Sequence, residues 1–238
     1  MPKRRVLDGN EAAQPPRVVL IDANVFFAPR MRDLVMHLHA DELINVQWTS
    51  EIESEWTRNV VKKQDADAEG IQECLRGMRA AVPGWEVTGY EKHVDQFEAV
   101  DAKDRHVAAA AYKLSLDDWP GQPVALVTKN IKDFPVKAFE GTQVTRFALG
   151  AYVDALYAAE PVRVLKVAES CRKKLKHPPL DKERYVAVLM NHGCAGLAGA
   201  LAQAWSVECP LVAKDGTLYY ESDRPKKPAT KAAKKAAR

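Results

Sequence analysis

The chain has 238 residues, 47% of them hydrophobic, and a formal net charge of +3. That is enough apolar mass for one good-sized domain with an appendage, and it excludes a wholly disordered chain. No apolar run approaches the roughly 18 residues that span a bilayer, and the polar start lacks an apolar signal core, so the expectation is a cytoplasmic protein with no membrane partner.

Residues 1–16 read as a disordered lead-in closed by Pro15-Pro16. Residues 17–22, Arg-Val-Val-Leu-Ile-Asp, form a short β-branched run that stops at an acid. Bounded by prolines and by a polar Asp-Ala-Asn, it predicts a buried parallel strand. Residues 30–40 carry Met31, Leu34, Val35 and Leu38 at helical spacing. A second strand is expected over 43–48, then a helix capped by Thr49 or Ser50 and running to about residue 61, with acids in its first turn. A further helix is expected over 66–81, ended by Pro83-Gly84, and a third strand over 85–88. Asp104 can cap a helix through His106 to Tyr112. Strands over 123–128 and 143–146 follow, then a helix over 148–159. Alternating strands and helices predict an α/β fold with a central parallel sheet covered on both faces.

Beyond residue 158 the pattern turns helical, with helices expected over 162–176, 181–191 and 195–207 and breaks at His177-Pro178-Pro179 and Gly193. The expected organisation is a lead-in (1–16), an α/β domain (17–158), a helical extension (159–223) and a basic disordered tail (224–238). The tail holds seven basic residues and no acid, the first fifteen residues hold three basic and two acidic, and 25 basic against 30 acidic residues remain between them. An acidic body thus carries basic ends, which suit a polyanion such as nucleic acid or simply keep the chain soluble. Cys74, Cys171, Cys194 and Cys209 form no Cys-x-x-Cys pair and have no His cluster beside them, so reduced thiols are expected rather than disulfides or zinc.

Acids recur where such a sheet collects chemistry, beyond the carboxyl ends of its strands. Asp22 ends the first strand, and Glu55 lies on the helix after the second, with Glu51 as its alternate on the same face. Asp101 and Asp104 flank a helix start, and Asp133 follows the strand over 123–128 by a short turn. Clustered carboxylates repel one another unless used. An oxygen-rich cluster is what magnesium or manganese requires, and such an ion can activate water against a phosphodiester. Each acid also has a plain reading. Asp22 can cap a turn, Asp104 can be only an N-cap, Asp101 can be loop polarity, and two of Glu51, Glu53 and Glu55 can be merely solvated.

Four segments together resemble the motifs of PIN-domain nucleases. They are Val18-Val-Leu-Ile-Asp22-Ala-Asn24-Val, the Glu-Trp-Thr-Arg-Asn stretch at 55–59, Val100-Asp101-Ala-Lys-Asp104-Arg105-His106-Val107-Ala-Ala-Ala, and Leu126-Val127-Thr128-Lys129-Asn130-Ile-Lys-Asp133-Phe134-Pro135. The resemblance covers about 17–158 and implies a three-layer α/β/α sandwich. It also implies cleavage of RNA, with 5′-phosphate and 3′-hydroxyl ends, using magnesium or manganese held by Asp22, Glu55 and Asp104. Within that family the chain is most similar to VapC-type toxins, which implies a tRNA or ribosomal RNA substrate, a homodimer and neutralisation by a VapB-like antitoxin. The fourth motif departs from the family, because Asn130 stands where many relatives have Asp; either Asp133 supplies the charge or Asn130 uses its carbonyl. Asn24, Asp101 and Thr128 are candidate supports of the site, and Arg105 and Lys129 are candidates to meet RNA phosphate. His106 reads mainly as packing or capping. A phospho-receiver would want an acidic pair before its strand-end Asp, and a haloacid-dehalogenase-like phosphatase would want Asp-x-Asp where Asp22-Ala23-Asn24 stands. The remaining alternative is a non-catalytic PIN-fold module that binds RNA or protein, supported by Asn130.

Overall fold

A computed structural model describes residues 14–64, 68–176 and 178–220. The first thirteen residues of the lead-in expected over 1–16, the break at His177, the first two residues of the helix expected at 66, the last three of the extension expected to 223 and the basic tail over 224–238 lie outside these residues.

The sheet is built from β1 (Val18–Ile21), β2 (Asn45–Gln47), β3 (Val124–Thr128) and β4 (Val144–Ala148). Its order is β2-β1-β3-β4 and every pairing is parallel. Every residue of β1 and β3 is buried, as inner strands covered on both faces require, whereas β2 and β4 at the edges are partly exposed. The flanking helices are α1 (Ala23–Phe26), α2 (Pro29–Ala40), α3 (Ser50–Gln64), α4 (Ala68–Ala81), α5 (Arg105–Lys113) and α6 (Leu149–Ala159). The expected α/β sandwich is therefore present.

Local chemistry explains most of these elements. Thr49 caps α3, its hydroxyl accepting from the Ile52 amide at 3.1 Å. Pro29 opens α2, where its missing N–H costs nothing. The strand expected over 85–88 does not form as a strand. Trp48 exchanges two backbone hydrogen bonds with Trp85 and Val87, and the pairing stops there. The segment is pinched between Gly84 and Gly89, both at positive φ, so it has no length for a ladder.

The helical extension comprises α7 (Pro161–Lys174), α8 (Lys182–Asn191) and α9 (Ala195–Trp205), followed by a hairpin of β5 (Leu211–Val212) and β6 (Leu218–Tyr219). It packs on the body through α7 against α2 and α9 against α6. Two contacts fix the second seam. The Asp154 carboxylate of α6 accepts from the first-turn amides of Gly196 and Leu197, at 2.8 and 2.9 Å, so one helix caps another. Gly150 of α6 meets the backbone of Gly193, and a Cβ at Gly150 would lie 2.3 Å from the Gly193 carbonyl carbon.

Gly150→Ala therefore forces backbone apart, and about 1–3 kcal/mol of stability should be lost. Asp154→Ala should cost about 0.5–2 kcal/mol by uncapping α9. Urea unfolding midpoints of the two variants read both effects.

Candidate active site

The connections leave β1 toward β2 on one side and β3 toward β4 on the other. The crevice between the carboxyl ends of β1 and β3 is thus the switch point of the sheet, the usual place for a ligand in an open α/β fold. Asp22 stands at that point, only 4% exposed. A cavity of about 500 Å³ lined by Arg17, Val18, Leu43 and Asn45 lies at the opposite, amino ends of the strands, away from the acids.

Asp22 is held by its neighbours across the sheet. Ile21 is paired with Val127, so Thr128 falls beside Asp22, and its hydroxyl donates to Oδ2 at 2.7 Å. Asn24 Nδ2 donates to the same oxygen and to Thr128 Oγ1. The Asn24 carbonyl oxygen accepts from the Lys129 amide at 2.7 Å, and Thr128 Oγ1 accepts from the Asn130 amide at 2.9 Å. One small network therefore ties the carboxyl ends of both inner strands to the following loop. Burial raises the Asp22 carboxyl above its ordinary range, against the lowering influence of the Thr128 hydrogen bond.

Glu55 of α3 and Asp104, just before α5, complete the cluster. Glu55 is raised by burial and then by the charges of Asp22 and Asp104. Asp104 is pushed up to about 6, first by burial and then by the charges of Asp22, Asp133 and Asp101, while Lys103 opposes the rise. Its side chain makes no capping hydrogen bond to α5, so the plain reading as an N-cap is corrected. Asp104 Oδ2 is instead buried with no hydrogen-bond partner, and Lys103 Nζ approaches it only to 3.8 Å.

The three glutamates of α3 have separate fates. Glu53, expected to be solvated if not used, is 3% exposed. It accepts from Trp48 Nε1 at 2.9 Å and from two nitrogens of Arg79, whose guanidinium also lies over Trp85. Glu51 accepts from the Tyr90 hydroxyl at 2.9 Å. His106 lies between Glu51 and Glu55, with ring nitrogens 3.6 and 3.8 Å from their carboxylates. Burial lowers its pKa, while Glu51 and Asp22 pull it back up. His106 thus reaches the site more closely than its packing role implied; its signal was its place on the helix that Asp104 begins. Lys103 was also passed over, and its signal was adjacency to Asp104.

The remaining candidates lie farther out. Asn130 Nδ2 donates to Asp133 Oδ2, so the two form one unit, and the Asp133 charge is felt by Asp104. Asp101 is exposed and accepts from the Lys103 amide at 3.3 Å. Arg105 donates to the carbonyls of Val100 and Glu98, which commits it to the preceding loop. The Lys129 amine is lowered by burial alone.

The donor set suits a hard divalent cation in kind. It is all oxygen, its carboxyls are raised by one another, and one buried carboxylate oxygen lacks a partner. Among the described residues no three His, Cys, Asp or Glu side chains stand arranged to hold a metal ion.

Fold and site together define a parallel α/β protein with a carboxylate cluster at its switch point. Residues 151–203, from α6 to α9, match the family described as the VapC50 C-terminal domain. No curated protein and no solved structure matches the chain. No helix of the described residues is long and apolar enough to cross a membrane.

Asp104 binds its proton more tightly folded (about 6) than unfolded (3.8), so its effect on stability is favourable below pH 3.8 and is lost as pH rises through 6. Asp104→Asn should therefore raise the melting temperature at pH 8 in the presence of a chelator, and the gain should shrink toward pH 4. Thermal melts across that range check it.

Proposed function

We propose that the chain is a toxin endoribonuclease that hydrolyses RNA phosphodiester bonds, in tRNA or ribosomal RNA, and is neutralised by a VapB-like antitoxin. The observation that carries the reading is the convergence of Asp22, Glu55 and Asp104 from three separate elements on the switch point of the sheet. The VapC50 C-terminal domain match supports it from a different part of the chain. A homodimer belongs to the same reading.

Asp22, Glu55 and Asp104 would hold Mg²⁺ or Mn²⁺. Bound there, the ion would supply Lewis-acid stabilisation of the charge that develops on the scissile phosphate and would ease deprotonation of water. The chain's own residues do the rest. Thr128 and Asn24 fix the Asp22 carboxylate through Oδ2. His106 Nε2 stands 3.8 Å from the Glu55 carboxylate. Asp22 and Asp104 align water opposite the 3′-oxygen and take up its proton. The new P–O bond forms as the P–O3′ bond breaks, and the departing 3′-oxygen takes a proton from solvent water, leaving 5′-phosphate and 3′-hydroxyl ends. Lys103, whose charge acts on Asp104 and Glu55, offers positive charge to the RNA backbone, and Lys129 follows the strand end next to Asp22.

A second reading, a non-catalytic module that binds RNA or protein, draws on Asn130 at the place where an acid is expected, its amide spent on Asp133. One assay separates the two. Purified wild type should cleave RNA with added magnesium or manganese and stop with a chelator, and its induction in bacteria should arrest growth. Asp22→Asn should lose roughly a hundredfold or more in cleavage, in line with loss of an essential charged group, and should not arrest growth. Equal arrest by both, or no cleavage with either metal, refutes the nuclease reading.

Metal binding can also be read without turnover. Added Mg²⁺ or Mn²⁺ should raise the melting temperature of the wild type at pH 8. The rise should be lost in Asp104→Asn.

A further inference from the structure

The VapC50 C-terminal domain match says nothing of what the helical extension does for the site, but the placement of the turn between α8 and α9 does. β3 ends at Thr128, which is paired with Ala148 at the end of β4, and α6 begins on the next residue. The first turn of α6 therefore shares the sheet edge that carries Asp22. Gly150 in that turn is pressed against His192 and Gly193 of the extension: a Cβ on Gly150 would fall 2.3 Å from the Gly193 carbonyl carbon and 2.4 Å from the His192 carbonyl oxygen. Gly193 has φ +78, the left-handed conformation that ends a helix and that side chains rarely adopt. The amides of Gly193 and Cys194 return to Met190 and Leu189, which closes the turn. His192 is thus held rigidly at the carboxyl edge.

Lys129 is its neighbour there. The Lys129 amide is pinned to Asn24, next to Asp22. Lys129 is exposed, and no carboxylate pairs with its ammonium among the described residues. Its charge reaches His192, where it adds to burial in favouring the neutral imidazole. Neutral imidazole offers one N–H donor and one acceptor, which match a phosphate oxygen or a ribose 2′-hydroxyl. The acids at the switch point repel a polyanion, so an RNA strand needs positive or donor groups beside them. Arg105 is committed to backbone carbonyls, whereas Lys103, Arg58 and Lys129 are placed to share that task with His192.

We infer that the α8–α9 turn is part of the RNA-binding rim, with His192 and Lys129 gripping the sugar–phosphate backbone beside the carboxylates. The extension is then a substrate-binding part of the enzyme rather than a separate module. This rests on the nuclease reading above.

The test uses the full chain in an Asp22→Asn background, so that substrate is not consumed, and a fluorescein-labelled single-stranded RNA oligonucleotide read by anisotropy over a salt series. His192→Ala should weaken binding about fivefold, as expected for one lost hydrogen bond. Lys129→Ala should weaken it about tenfold and reduce the salt slope by about one. The two effects should combine to less than their product, because the groups are neighbours. His192→Gln, which keeps an N–H donor, should recover most of the affinity. Parent affinity in His192→Ala, with the parent binding RNA, overturns this inference alone. Affinity that follows melting temperature rather than side-chain chemistry across the Ala and Gln variants also overturns it. A parent that binds no RNA overturns it together with the nuclease reading.

Discussion

An ionisable carboxylate sits where water is nearly excluded, at the end of a wholly buried strand, and the hydroxyl of Thr128 is what makes this tenable. Asp22 alone at that place would be a costly group to bury. Because β1 and β3 are neighbours in register, Thr128 meets it directly, and the same hydroxyl accepts from the Asn130 amide while Asn24 bridges to the Lys129 amide. Asp22 thus orients the loop after β3 as much as that loop orients Asp22. The neighbour relation itself follows from connections that leave the two strands in opposite directions. The remaining acids are placed with respect to this fixed point.

Helix α3 shows how one stretch of sequence divides its acids between folding and chemistry. Glu53 turns inward, where Trp48 and Arg79 satisfy it, and Arg79 in turn covers Trp85, which stacks on Trp48. A buried carboxylate so paired fixes how α3 and α4 sit against β2. Glu55, two residues on, is turned by the helical repeat toward Asp22 and Asp104 and takes their repulsion. Glu51 lies one turn before Glu55, shared between Tyr90 and His106. Removing Glu53 and removing Glu55 are therefore different experiments, one on the fold and one on the site.

The extension is joined to the body by helix packing and by a cap that crosses between helices. Asp154 on α6 supplies the acceptor that the first turn of α9 needs, and Gly150 permits a backbone contact that any side chain would forbid. The residues matched by the VapC50 C-terminal domain family begin at 151, within α6, so the Asp154 cap lies inside the matched region and Gly150 just before it. The Gly150 contact, just after the end of β4, brings the α8–α9 turn to the carboxyl edge of the sheet.

Local signals in the sequence were enough for the strands at Val18–Ile21 and Val124–Thr128, for the Thr49 cap, and for the helices of the extension. In each the apolar period or the capping residue acts within a few positions of itself. The place of Asp22 at the end of its strand was legible for the same reason, since an acid that closes an apolar run is visible in a single line of residues. Trp85 to Thr88 misled, because its β-branched and aromatic content suits a strand while two glycines at positive φ leave it room for only one bridge. The burial of Glu53, the place of His106 between two glutamates and the approach of His192 to Lys129 were beyond the sequence. Each depends on groups that the fold brings from distant positions, Arg79 to Glu53, Glu51 to His106, and the α8–α9 turn to the end of β3. No local pattern specifies such a meeting; the parallel sheet and its crossovers decide it.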